Sequence, residues 1–149
     1  METFSHETLD PNWVTGFSDG QASFTYSRSG KQLALYFAIK LPAIDHAILE
    51  GIRASFGVGK IYDVKARAPT ARTGATKTAS YYRVTHREDL LRIVAHFDEF
   101  PLMTAKQRIY EIWRLMVLMK SQFRRPDRAA LDELADSLSS RVGRNQSSR

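Results

Sequence analysis

Two periodicities alternate along this chain. From Asn12, residues recur at helical spacing, with Trp13, Val14 and Phe17 on one side and Thr15, Gly16, Asp19 and Gly20 on the other. Gly20 stands where a helix commonly ends, so this helix is short. The period then drops to two: Phe24 and Tyr26 point one way, Thr25, Ser27 and Ser29 the other. A turn at Ser29-Gly30 leads into a second strand, in which Leu33, Leu35, Phe37 and Ile39 face a core and Gln32, Ala34, Tyr36, Ala38 and Lys40 face away. The pattern predicts a β-hairpin with one apolar and one mixed polar face.

Pro42 opens a second helix carrying Ile44, Ile48, Ile52 and Phe56, which Gly57 closes. Strands follow around Lys60–Lys65 and Lys77–Thr85. In the second of these, Thr78, Ser80, Tyr82 and Val84 alternate with Lys77, Ala79, Tyr81 and Arg83. The connection "KARAPTARTGATK" holds Pro69, Gly74, four basic residues and no acid, and reads as an exposed cationic loop. Thr85 with Glu88, and Thr104 with Gln107, match the capping box that satisfies free backbone donors at a helix start. The first of these helices buries Leu90, Leu91, Val94 and Phe97, and the next buries Ile109, Ile112, Trp113 and Met116. Beyond Pro126, Leu131, Leu134 and Leu138 mark one more amphipathic helix.

The order predicts an α+β domain with an αββαββα core, whose four-stranded antiparallel sheet is covered by helices on one face. The pattern predicts a flexible lead-in over residues 1–11, the domain over 12–123, a C-terminal helical extension over 124–142 and a disordered tail over 143–149. The uncovered sheet face carries Thr25, Ser27, Ser29, Gln32, Tyr36, Lys40, Lys77, Tyr81 and Arg83, which are rich in hydrogen-bonding groups and include no acid. Either this is an ordinary solvated face, or it is a platform laid along a nucleic-acid groove, which strands as well as helices can enter.

Charge bears on that choice. Lysine and arginine outnumber the acids 22 to 16, for a net +6, and a polyanionic partner fits this balance. The absence of cysteine excludes disulfides and thiolate metal sites. No apolar run reaches a membrane span, and the N-terminus lacks the layout of a signal peptide, so the expected setting is cytoplasmic (nucleoid-associated) or organellar, not secreted. His6, His46, His86 and His96 show no metal-ligand spacing and read as surface or cap residues, and no phosphate-binding glycine loop occurs.

The stretch "VTGFSDGQA", Val14 to Ala22, resembles the motif of the LAGLIDADG homing endonucleases, with Gly16, Phe17, Asp19 and Gly20 in matching places. "FGVGKIY", "YYRVTHREDLLRIVAHFDEFPLMTAKQ" and the region of Trp113 look like the later segments of single-motif members, so the resemblance runs from about Asn12 to Met119. It implies a homodimer whose motif helices pack together, with Thr15, Gly16, Asp19 and Gly20 at the seam. The Gly16-x-x-x-Gly20 spacing suits close backbone approach, although the same glycines would also serve for packing under a local strand.

The resemblance further implies a saddle on a long, near-palindromic double-stranded DNA site. Thr25, Ser27, Ser29, Gln32, Tyr36, Lys40, Tyr62, Lys65, Arg67, Arg72, Lys77, Tyr81 and Arg83 would then face the duplex. In the family the last acid of the motif binds Mg²⁺, or another divalent cation such as Mn²⁺ or Ca²⁺, at the dimer centre. Here that position is Gln21, beside the Gly20 backbone. Asp19 matches the motif's other acid, whose family role is chiefly structural. Lys106 in "PLMTAKQ" matches the basic residue near the scissile phosphate, or else is a solvated surface lysine. Gln21 and Ala22 both depart from the motif, and glutamine brings no negative charge to the metal. Two readings follow: an endonuclease whose acid has been exchanged for Gln21, or a catalytically silent relative that binds DNA as a regulator or assists intron RNA splicing. The near-isosteric exchange of Glu for Gln in a well-kept motif favours the first.

Overall fold

The structure is a computed structural model and describes residues 8–69, 71, 77–122 and 125–147. Its elements run α1 (Pro11–Gln21), β1 (Ala22–Ser29), β2 (Gln32–Pro42), a 3₁₀ turn (Ala43–Asp45), α2 (His46–Phe56), β3 (Lys60–Val64), β4 (Ala79–Val84), α3 (Arg87–Glu99), α4 (Lys106–Gln122) and α5 (Arg128–Ser147). The predicted αββαββα order is present, followed by two further helices. All four strands join one antiparallel sheet in the order β1-β2-β4-β3.

Local chemistry explains the boundaries. Asp10 caps α1, its carboxylate accepting the amides of Asn12 and Trp13 at 2.8 and 3.3 Å, and Pro11 occupies the first turn, where no donor is lost. Gly57 ends α2 in the left-handed conformation at φ 75°, and its amide donates to Arg53 O at 2.7 Å. At α4, Thr104 Oγ1 accepts the Lys106 amide at 3.2 Å, while Gln107 Oε1 accepts the amide of Leu102 at 3.1 Å. The predicted capping pair is therefore in use, with the glutamine reaching two residues further back than the standard box.

Several sequence expectations shift. The 3₁₀ turn delays α2, leaving Ile44 90% exposed; Ile52 and Phe56 of the predicted row are buried, Ile48 is half-buried, and Leu49 is buried beside them. The N-cap of α3 is His86, not Thr85, without a side-chain cap bond. Ile93 takes the buried place expected of Leu91, which is 38% exposed. Strand β4 begins at Ala79 rather than Lys77. Helix α5 continues through Gly143 to Ser147, where the sequence predicts a disordered tail from 143.

Helices cover one sheet face, and the core lies between. Phe24 sits at its centre, its ring centroid 5.2 Å from each of Phe37, Phe97, Tyr110 and Trp113. Two buried aromatic tips are satisfied: Trp113 Nε1 donates to Thr25 O at 3.0 Å and the Tyr82 hydroxyl to Val58 O at 2.6 Å. Leu131, Ala135 and Leu138 of α5 join this core. The Tyr26 hydroxyl, on the helix side of β1, meets Ala135 O at 3.3 Å and Ser139 Oγ at 2.6 Å.

Candidate nucleic-acid interface

The strand register fixes which side chains share the uncovered face. Pairing aligns Thr25 with Tyr36, Ser29 with Gln32, Lys40 with Tyr81, and Tyr62 with Tyr81, and it places Arg83 between Ala38 and Lys60. Thr25, Ser27, Ser29, Gln32, Tyr36, Lys40, Tyr62, Tyr81 and Arg83 therefore lie on one side, as predicted. Lys60 and Ser23 belong to the same side and were missed; the two-residue period from Tyr62 and Thr25 points to both. Lys77, Lys65 and Arg67 are exposed beside the strand ends, and Arg72 lies outside the described residues.

Two cations on this face rest on aromatic rings. Lys40 Nζ lies 5.4 Å from the centroid of Tyr81, and the Arg83 guanidinium 4.7 Å from that of Tyr36, so the rings hold both cations in place without neutralising them. The only acid in the four strands, Asp63, turns to the other side, accepting from Ser80 Oγ at 2.7 Å and meeting His46 Nδ1 at 3.0 Å. The hydrogen bond from Ser80, followed by the neighbouring His46, holds its carboxyl below the usual range.

Helix α1 presents a different surface from the one the sequence suggested. Val14, Thr15, Ser18 and Asp19 are buried in their own chain, and Trp13, Gly16 and Gly20 face outward beside the half-buried Phe17. Thr15 and Asp19 are thereby corrected as interface residues. The Thr15 hydroxyl donates to Phe100 O at 2.8 Å and lies 3.0 Å from His96 Nε2. A side chain added at Gly16 or Gly20 meets nothing within 4 Å, so packing within the chain does not require either glycine. Trp13 stacks on Phe17 at a centroid distance of 4.9 Å, forming an aromatic edge beside the glycines.

At the end of α1, three sequence-predicted residues divide their labour. Asp19 is 8% exposed: its Oδ2 accepts the amides of Met103 and Thr104 at 2.7 and 3.1 Å, and its Oδ1 accepts the Thr104 hydroxyl at 2.5 Å. Lys106 is buried rather than solvated, with Nζ donating to Ala22 O at 2.5 Å and Ser18 O at 3.3 Å. Its charge thus meets the negative C-terminal end of α1, which outweighs the unfavourable position in the first turn of α4. Gln21 is exposed as the last residue of α1.

A comparison with known proteins identifies this arrangement: residues 14–117 match the LAGLIDADG endonuclease family. The chain belongs to that family. It is 33% identical over 132 residues to an uncharacterised 50.9 kDa protein in ND4 intron 1 of Podospora anserina, covering 80% of this chain and 27% of the relative. It is 30% identical over 112 residues to the probable intron-encoded endonuclease Cox1-I1b of Schizosaccharomyces pombe, covering 72% and 27%. The chain thus spans about a quarter of the length of these curated relatives.

Solved structures agree on the fold. The LAGLIDADG meganuclease I-AabMI, bound to uncleaved DNA, superposes with a TM-score of 0.71 at 25% identity, over 85% of this chain and 44% of that one. I-CpaMI, also bound to uncleaved DNA, gives 0.65 at 27%, over 76% and 39%. The homing endonuclease I-TnaI gives 0.65 at 20% identity, over 88% of this chain and 99% of that one, a likeness of fold alone.

The LAGLIDADG motif of this chain does not fit a hard dication. Mg²⁺ favours carboxylate oxygens in near-octahedral geometry and gives up its waters reluctantly. The Gln21 side chain offers a neutral amide oxygen and the Gly20 backbone a neutral carbonyl, while both oxygens of Asp19 are held by the start of α4. Among the described residues, no group of three or more His, Asp or Glu side chains could hold a metal.

Proposed function

We propose that this chain binds a long, near-palindromic double-stranded DNA site as a two-fold dimer of the homing-endonuclease type, and that Gln21 leaves its cleavage severely impaired. The observation that carries the second part is the engagement of Asp19: each of its carboxylate oxygens already accepts hydrogen bonds from Met103 or Thr104. It has no free oxygen with which to stand in for the missing acid.

DNA recognition is supported by the uncovered face, where Lys40 and Arg83 ride on tyrosine rings beside uncharged donors and acceptors and no strand acid. Phosphate contacts by its cations would set register, and Gln32 and Arg83 would read base edges. Association is supported by the outward glycines and aromatic edge of α1. The intron-encoded relatives support an intron-borne origin.

The test compares the parent with Gln21→Glu on a duplex library with Mg²⁺. Both should bind, with affinity falling as salt rises, and only the glutamate form should cut. A parent that cuts as fast as the variant would overturn the assignment of Gln21. A variant that binds a specific duplex but never cuts would make the chain a DNA-binding regulator. If neither form shows salt-dependent binding, the DNA reading fails.

A further inference from the structure

Helix α5 does more than extend the core. Its start, with Arg125, Pro126 and the β1–β2 turn, walls a cleft of about 510 Å³ lined by Lys31, Arg87, Lys120, Arg125, Arg128 and Asp132. Five of those six side chains are cationic at neutral pH. The one acid, Asp132, already pairs with Arg28 at 3.1 Å. Among the described residues no ion pair engages Lys31, Arg87, Arg125 or Arg128.

A concave site with unneutralised charge of one sign carries a cost that an anion would remove. The strain is visible at Lys120, whose ammonium donates to Leu33 O: burial pushes its pKa down, and the charge of Arg87 adds to the effect. The N-terminus of α3 opens beside it, without a side-chain cap and with Glu88 and Asp89 in its first turn.

The position of the cleft identifies its ligand. Gln32 lines the cleft and also belongs to the uncovered sheet face, so the two surfaces are continuous. Strand β1 leads from the end of α1 to this turn in eight residues. At about 3.3 Å per residue the cleft lies on the order of 25 Å from the tip of α1. At about 3.4 Å per base pair that is on the order of seven base pairs from the centre of a two-fold complex. Arg125, Arg128 and Asp132 also lie beyond the family-matched residues 14–117.

We propose that this cleft, built jointly by the β1–β2 turn and the C-terminal extension, clamps the phosphodiester backbone of duplex DNA flanking the segment that the sheet covers. The proposal rests on the DNA-binding reading above. The clamp adds sequence-independent affinity and lengthens the footprint without reading bases.

The experiment uses the full chain and fluorescent random-sequence duplexes of two lengths, one ending near the cleft at about 14 base pairs and one of about 30 that passes it. Arg125→Ala with Arg128→Ala, both exposed positions, should weaken binding to the long duplex by about tenfold per lost phosphate contact near 0.1 M salt and flatten the salt dependence. Lys31→Ala, on the opposite wall, should act in the same direction. The short duplex should be much less affected. The parent-to-variant ratio is compared between lengths, because a longer duplex offers more registers to both proteins. Lys40→Ala, on the sheet face, should weaken binding at both lengths. If the parent binds with a salt slope that the cleft variants share at both lengths, the clamp is wrong. If the double variant loses an RNA hairpin while keeping its DNA slope, the cleft serves RNA and the proposal is overturned. If the parent itself shows no salt-dependent DNA binding, the reading beneath the proposal fails instead.

Discussion

Asp19 of α1 accepts the hydroxyl of Thr104 at 2.5 Å and the Thr104 amide at 3.1 Å, fastening the end of the motif helix to the start of α4. The carboxylate sits where backbone donors are unpaired and the helix dipole is positive, so its charge stabilises the joint. Asp19→Ala should cost about 1–3 kcal/mol, because it strips a buried charged acceptor from the partly exposed donors of Met103 and Thr104, and the losses are not additive. Gln21→Glu, at an exposed position, should stay within about 0.5 kcal/mol. Urea denaturation of both variants checks the contrast. An Asp19→Ala chain as stable as the parent would remove the structural role given to that acid.

Lys106 joins the same two helices from the other side, its ammonium on the carbonyls of Ser18 and Ala22. Lys106→Met keeps the stem and removes the donors. It should destabilise the fold by about 1–3 kcal/mol, since hydrogen bonds from a charged group are worth roughly 1.5–3 kcal/mol net. The loss should be present without DNA or metal. A Lys106→Met chain with an unchanged unfolding midpoint would return the residue to the surface lysine that the sequence also allowed.

Much of this fold was legible because period-two and helical patterns are local. The faces of β1, β2 and β4, the caps at Gly57 and Thr104, and the αββαββα order all follow from residues within a few positions of each other. The face of α1 was misjudged because its buried side is polar: Thr15, Ser18 and Asp19 are hidden, while Trp13 is 44% exposed. The Thr15 hydroxyl, the Asp19 carboxylate and the Ser18 backbone carbonyl meet Phe100, Thr104 and Lys106, all more than eighty residues away, and no local pattern announces such partners. Lys106 was ambiguous for the same reason. Lys60 was missed although its parity with Tyr62 was readable. The cleft beside α5 required the hairpin turn and the C-terminal extension to meet in space.

His96 gives a pH dependence whose sign can be worked out. The hydroxyl of Thr15 spends its one hydrogen on Phe100 O, so the 3.0 Å contact to His96 Nε2 requires a hydrogen on that nitrogen. The ring also packs on Phe56 and Phe97, and burial pushes its pKa below the ordinary value of about 6.5. In this situation the unfolded chain takes up the proton first. Its stabilising effect is complete above pH 6.5 and is lost as the pH falls from there through the folded pKa, at no more than about 1.4 kcal/mol per pH unit. His96→Gln keeps a donor toward Thr15 but does not titrate. The stability difference between parent and variant, measured by urea melts from pH 7.5 to 5, should move against the parent on acidification. Parallel curves would show that His96 does not contribute this dependence.

The glycines separate folding from association. Gly59, at φ 97°, would bring a Cβ to 2.7 Å from a Tyr82 ring carbon and 2.9 Å from Arg83 O, so Gly59→Ala should destabilise the monomer by at least about 1–3 kcal/mol, the cost of a sparsely allowed backbone before the clash is counted. Gly16 and Gly20 are the opposite case, with nothing near a Cβ and no positive φ. Replacing them with alanine should stabilise the isolated helix by roughly 0.5–1 kcal/mol each, because glycine gives up more backbone freedom on folding. If two α1 helices pack through this face, the same change forces them apart. Gly16→Ala with Gly20→Ala should therefore melt at a higher temperature at high dilution yet fail to dimerise in sedimentation measurements at concentrations where the parent does. A variant that dimerises like the parent, or a parent that remains monomeric even with duplex DNA, would reject this face as the seam.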